Sequence, residues 1–259
     1  MAPFLRMGAW KWVSDREVVF TFDGTYCDST AFKVDARTGR RVNGVCAPEK
    51  YNEFPVNPVG AVNLTYSPDS TKLAFTRDND LYVVDIATEE ETRLTYDGSD
   101  LVLNGYASWV YYEEILGRRT NYKAFWWSPD SKKIGFYRFD NTQVPLFPIY
   151  SAFAKSETAD TKYSSPKVTD LALGGSLSET RYPKAGQTNP EVKIGIVDIT
   201  FRGDKHIVWA DFDSAEDQYF GIPFWGPDSK EFFIARMPRL QNTLDLYSVS
   251  IADGSRKHI

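Results

Sequence analysis

The chain is poor in the residues that build metal centres and covalent frameworks. It has two cysteines, Cys27 and Cys46, and two histidines, His206 and His258, in 259 residues. Two cysteines cannot make a zinc site alone, and the histidines lie far from them in sequence, so no metal is assigned. Cys27 and Cys46 flank a hairpin-like stretch. A disulfide between them is geometrically plausible, and two partly buried thiols remain the alternative. Basic clusters are scarce as well. The formal net charge is −5, and the longest Lys/Arg-rich stretch, Arg37 to Arg41, looks like a solvated hairpin tip. Nucleic acid would need a concentrated basic face, so it is not an expected partner. No apolar run approaches membrane-spanning length. No signal peptide is visible, because the opening residues lead directly into the strand-like Trp10-Lys-Trp-Val. A chain that begins and ends in strand pattern reads as cut from something longer. No Gly-rich phosphate loop occurs, and no cofactor is expected.

What is present is a degenerate repeat. Tyr66-Ser-Pro-Asp-Ser70, Trp127-Ser-Pro-Asp-Ser131 and Trp225-Gly-Pro-Asp-Ser229 each end an aromatic strand and precede an alternating one. A weaker copy starts at Trp12. Proline presets the turn backbone, and the Asp and Ser side chains can bond it. Second strands follow, Asp80 to Ile86 in one copy and Leu244 to Ile251 in another, and close on polar turns. Short alternating strands with regular turns predict an all-β fold. Unequal repeats of one hairpin favour a β-propeller over a sandwich with chance turns. Two segments break the pattern. Val110 to Gly117 reads as a short helix or turn ended by Gly117. Lys155 to Ser178 is polar and reads as a long loop or insertion. Neither divides the chain, so residues 1–259 are expected to be one domain portion.

Catalytic signatures are missing. Gly174-Gly-Ser-Leu-Ser178 lacks the last glycine of a nucleophile elbow and sits in a polar stretch. The histidines have no inferable Ser or Asp partner. Asn63-Leu-Thr65 fits a glycosylation acceptor, a triplet common by chance. Glu89-Glu-Glu91 reads as a solvated turn. Glu113 and Glu114 follow the aromatic stretch Trp109, Tyr111, Tyr112. Adjacent helical residues diverge by about 100°. Two such carboxylates can share one small object only over the edge between them. An ammonium suits that place, with three donors and a compact charge. It would also relieve the repulsion that raises the pair's proton affinity. An exposed acidic pair on a loop is the bland alternative.

The setting of that pair resembles the dipeptidyl peptidase IV family. The carrying segments are Asn104 to Ile115, Trp126 to Pro145 and Arg181 to Val192, with Pro238 to Asn242 in support. They run in the family's order, in the manner of a bacterial-type member. The resemblance implies part of an eight-bladed propeller, roughly four to five blades here, with a short helical segment bearing the Glu pair. It implies an α/β-hydrolase domain that is absent from this chain and supplies Ser, Asp and His. The implied activity is release of N-terminal Xaa-Pro or Xaa-Ala dipeptides, with Glu113 and Glu114 holding the substrate's N-terminal ammonium. Tyr111 and Tyr112 would pack or position. The family's propeller Arg has no clear counterpart; Arg118 or Arg119 could substitute, with a plain exposed arginine as the favoured alternative. Implied partners are peptides with a free N-terminus, the hydrolase domain and a second copy in a homodimer. The implied location is periplasmic, secreted or cell-surface. The rival reading is a non-catalytic propeller that binds proteins.

Overall fold

The computed structural model describes residues 10–12, 17–20, 32–35, 41–42, 54–151, 167–170, 175–200 and 207–259. Cys27, Cys46 and His206 lie outside them. Two compact units are present, Met1–Asn57 and Pro58–Ile259. The first holds a four-stranded antiparallel meander of β1 (Trp10–Trp12), β2 (Glu17–Phe20), β3 (Phe32–Asp35) and β4 (Arg41–Val42).

The second unit repeats this plan. β5 (Val62–Tyr66), β6 (Lys72–Arg77), β7 (Asp80–Asp85) and β8 (Glu91–Arg93) pair in sequence order. The next sheet opens with β9 (Val102–Asn104) and β10 (Phe125–Trp127), which pair with opposite ends of β11 (Lys133–Asp140). The chain then leaves to form a separate three-stranded sheet from β12 (Leu146–Ser151), β13 (Lys167–Asp170) and β14 (Ser176–Arg181), in the order β12-β14-β13. It returns as β15 (Glu191–Asp198) and β16 (Ile207–Trp209) to complete the sheet it left. The last sheet contains β17 (Gln218–Phe220), β18 (Phe224–Trp225), β19 (Glu231–Pro238), β20 (Asp245–Ser250) and β21 (Arg256–His258). Four sheets thus share one meander plan among the described residues, and the fold is all-β. From sequence, Lys155 to Ser178 reads as a long loop or an insertion, and the loop alternative is corrected at its far end, where β13 and the start of β14 are strands of a sheet inserted between β11 and β15. Their Thr and Ser content hid a sheet that lies outside the repeat. Ser176, the serine of the failed elbow match, is a buried strand residue.

The repeat turns explain how the sheets register. In each Pro-Asp-Ser turn the final serine takes a left-handed backbone, with φ of 59° at Ser70, 61° at Ser131 and 60° at Ser229. That region is sterically poor for a residue with a side chain. The turn is closed locally by Ser131 N–H donating to the Ser128 carbonyl at 2.9 Å. In the first such turn, hydrogen bonds from Ser67 and the Thr71 amide hold the Asp69 carboxyl down at about 2. Two of the three serines then reach the preceding sheet. Ser131 Oγ accepts from the Asp69 amide at 3.0 Å, and Ser229 Oγ accepts from the Asp130 amide at 3.0 Å. The aromatic lead-ins do the same. Trp127 Nε1 donates to the Thr65 carbonyl and Trp225 Nε1 to the Trp126 carbonyl, at 3.1 and 3.0 Å. One motif therefore makes both the hairpin and the stitch to its neighbour.

Apolar packing fills the space between the stitches. Ala74, Leu81, Val83 and Leu94 meet Phe125, Ile134, Phe136 and Val197 on one face of the middle sheet. Tyr137, Phe139, Ile194 and Ile196 meet Phe220, Phe232, Ile234 and Val249 on the other.

A Ser131→Ala substitution is expected to destabilise by about 1–3 kcal/mol, because it strands the Asp69 amide. Ser131→Gly should cost less, since it loses the same acceptor yet relieves the left-handed backbone. Thermal or denaturant unfolding of the two variants checks the order. Equal losses would mean that the backbone conformation carries no penalty.

Candidate functional site

In the second unit, the first strand of each of the three meander sheets is interrupted at the same level. In β5 the register shifts between Val62 and Thr65, with Asn63 at φ 62°. In the last sheet the break between β17 and β18 spans residues 221–223. In the middle sheet the break between β9 and β10 spans residues 105–124 and carries both glutamates. The ends of this excursion close on one residue of β11. Gly105 N–H donates to the Tyr137 carbonyl at 2.9 Å, and Tyr137 N–H donates to the Ala124 carbonyl at 3.0 Å. Gly105 sits at φ 69°, and an added Cβ would lie 3.3 Å from the Leu81 and Thr76 side chains. A short ladder continues outward, with Ala124 N–H donating to the Gly105 carbonyl at 2.9 Å and Ala107 N–H to the Tyr122 carbonyl at 2.7 Å.

At the tip, Tyr111–Ile115 forms one π-helical turn, closed by Leu116 N–H donating to the Tyr111 carbonyl at 2.7 Å. Such wide turns recur at functional sites. Gly117 at φ 77° ends it, a 3-10 turn of Arg118–Thr120 follows, and Asn121 and Tyr122 take left-handed backbones. Neighbouring side chains in the π-turn go separate ways. Tyr111 is buried, and its hydroxyl accepts from the Phe220 amide of β17 at 3.0 Å. Burial pushes its phenol well above the usual tyrosine range. Tyr112 instead stacks on Tyr122 at 3.7 Å between ring centroids, and Tyr122 stacks on Tyr106 at 4.9 Å. Trp109 meets Tyr112 edge-on. Tyr111 thus anchors the turn in the core, and three stacked rings stiffen its outer face.

Glu113 and Glu114 emerge from this support. Glu113 is half-buried and Glu114 is exposed. Arg118 grips Glu113 with both prongs of its guanidinium: Nε donates to Oε2 at 2.6 Å, and Nη2 donates to Oε1. That fork holds the Glu113 carboxyl below its ordinary value and raises the Arg118 guanidinium above its own. Glu114 makes no hydrogen bond or ion pair among the described residues. The two carboxylates differ in kind, one fixed and neutralised, the other free. The sequence pointed to the pair but not to this asymmetry. Its signal was Gly117, whose left-handed turn folds Arg118 back over the preceding residues.

The other motifs also converge. Asn189, from the Arg181 to Val192 segment, donates to Asp217 Oδ1 at 3.0 Å and to the Tyr219 hydroxyl at 2.9 Å. Arg239, from the Pro238 to Asn242 segment, donates to Asp217 Oδ2 at 2.9 Å. They line a cleft of about 330 Å³. Tyr219 leans toward Tyr111, so these segments brace the strand that anchors the glutamate turn. His258 lies on an exposed edge 3.2 Å from Asp245, away from any nucleophile pattern. No group of His, Cys, Asp or Glu among the described residues could hold a metal ion. No described helix is long and apolar enough to cross a membrane.

Repeated, stitched meanders with a braced acidic excursion define a portion of a β-propeller. The family description "Dipeptidyl peptidase IV (DPP IV) N-terminal region" matches residues 43–259, and the chain belongs to that family. Dipeptidyl-aminopeptidase B of Aspergillus niger is 33% identical over 178 residues, covering 68% of this chain and 19% of the relative. A probable dipeptidyl-aminopeptidase B of Aspergillus fumigatus is 28% identical over 238 residues, covering 92% of this chain and 23% of the relative. The crystal structure of Porphyromonas gingivalis dipeptidyl peptidase 4 superposes with a TM-score of 0.63 at 22% identity, covering 99% of this chain and 33% of that one. The chain spans about a fifth of the length of the curated relatives it matches. The expectation of a bacterial-type member is not borne out, since these sequence relatives are fungal.

Proposed function

We propose that this chain is the substrate-binding propeller portion of a serine exopeptidase that removes Xaa-Pro or Xaa-Ala dipeptides from free N-termini. Glu113 and Glu114 anchor the substrate's N-terminal ammonium. A fixed anchor at the chain end sets which peptide bond reaches the nucleophile, so the pair acts as a ruler. One observation carries the reading: in a chain of this family, the single long excursion among the three interrupted first strands ends in a braced pair of carboxylates. The Ser, Asp and His belong to a hydrolase domain beyond these residues, which is the first partner of the propeller. Peptides with a free N-terminus are the substrates. A homodimer and a periplasmic, secreted or cell-surface location complete the proposal.

The full-length protein tests it. A Gly-Pro 4-nitroanilide should be cleaved, and its N-acetylated form should not. An ammonium bound through charge-assisted contacts contributes about 1.5–3 kcal/mol per contact, which acetylation removes. Equal cleavage of the two compounds would sink the ruler. A protein inactive on both, with substrate-binding intact, would be a non-catalytic propeller.

A further inference from the structure

We propose that Arg118 is a positioning residue that fixes Glu113 and leaves Glu114 as the leading contact for the substrate's ammonium. This rests on the reading above and assigns unequal roles within it. The Arg118 fork occupies one lone-pair direction on each Glu113 oxygen. An ionised carboxylate has about four such directions, so Glu113 retains outward acceptors of reduced charge. Glu114 has no partner to displace among the described residues. Two carboxylates and one guanidinium leave one net negative charge, which a single ammonium neutralises.

The loop is built to deliver Arg118. Thr120 Oγ1 and Thr120 N–H both bond the Gly117 carbonyl, at 2.9 and 3.1 Å. Asn121 N–H donates to the Arg118 carbonyl at 3.2 Å. Tyr122 then locks the return, clamped between Tyr106 and Tyr112. Left-handed backbone at Asn121 and Tyr122 persists only where surroundings enforce it. A surface ion pair is worth little to stability in general, which leaves orientation and charge as the function of this one. Arg119, one residue on, makes no ion pair among the described residues and serves as an internal control. Among the described residues, the other ionisable groups around Glu113 and Arg118 are the Tyr112 and Tyr122 phenols and, along the chain, Glu114 and Arg119. Lys123 lies over the Phe125 ring.

The test uses the full-length protein and Gly-Pro 4-nitroanilide. Glu113→Gln alone leaves Arg118 uncovered beside the ammonium and should raise KM about five-fold or more. Adding Arg118→Met restores one net negative charge on Glu114 and should bring KM back to within about three-fold of wild type. Arg118→Met alone lets the two carboxylates repel, so Glu113 gains a proton more readily. The acidic limb of the KM profile, which lies below the ordinary glutamate range while Arg118 holds Glu113, should move to higher pH, and Arg118→Lys should move it less. Arg119→Met should change neither. An Arg118 side chain 69% exposed makes these variants safe for folding. Failure of Arg118→Met to rescue Glu113→Gln, or an unmoved acidic limb, overturns the inference. If Glu113→Gln with Glu114→Gln leaves KM at the wild-type value, the anchor reading itself is wrong, whatever Arg118 does.

Discussion

A full-length protein carrying both Glu113→Gln and Glu114→Gln is expected to lose at least about 100-fold in kcat/KM toward a free-amine Xaa-Pro substrate. Hydrogen bonds to charged groups contribute about 1.5–3 kcal/mol each. Glu114 supplies one such contact, and in the double variant the uncovered Arg118 also opposes the ammonium, so the loss amounts to about 3 kcal/mol or more, about two decades at 1.4 kcal/mol per decade. Glutamine keeps the size and the carbonyl acceptor, so the substitution isolates charge. The backbone should not change, because Tyr111 holds the π-turn through the Phe220 amide and the Tyr106–Tyr122–Tyr112 stack holds its outer side. The loss should vanish for an N-acetylated compound, whose cleavage is already low without the ammonium. Steady-state kinetics on the pair of compounds decides it. A double variant as active as wild type would place substrate anchoring elsewhere.

The second large effect concerns stability. Phe232→Ala is expected to cost about 3–5 kcal/mol, the range for emptying an aromatic site in a core. Phe232 on β19 is fully buried. Its ring lies directly over Gly135 of the neighbouring sheet, where an added Cβ would come within 2.4 Å of the ring. Trp225 packs against its own face at 4.8 Å. The glycine is a socket for the ring, so the complementary variant Gly135→Ala should also destabilise, by about 1–3 kcal/mol through overpacking. Hydrogen exchange at the β11 and β19 amides of the full-length protein would register both. Unchanged protection in Phe232→Ala would show that the two sheets do not depend on this contact.

The hairpins were legible in the sequence because Pro, Asp and Ser specify a turn by local chemistry. Their second task was not. Nothing in Trp225 or Ser229 announces that the indole and hydroxyl leave their own hairpin and bond the Trp126 carbonyl and the Asp130 amide. Those partners are set by sheet stacking, which has no local signal. β13 and β14 escaped for another reason. Lys167–Asp170 and Ser176–Arg181 are polar strands of a sheet outside the repeat, so they lack both the alternation and the turn that mark the others. At the site, the aromatic run before Glu113 was visible, but not its division into a core anchor at Tyr111 and a stacked ring at Tyr112. One residue step separates the core from the partly buried outer stack on this π-turn, and the period of a π-turn cannot be read from two tyrosines. The sequence offered Arg118 and Arg119 for a substrate contact, and nothing in it announced the fork that Arg118 makes on Glu113.

The interrupted first strand has a consequence for how such a protein can vary. Because both ends of the excursion at 105–124 are tied to Tyr137, the blade's ladder is already closed without whatever lies between them. The corresponding gap in the last sheet needs only residues 221–223. The position therefore works as a docking port in the scaffold: segments of different length can be exchanged there at little cost to the frame. A lineage can exchange what this port carries while the blades stay as they are.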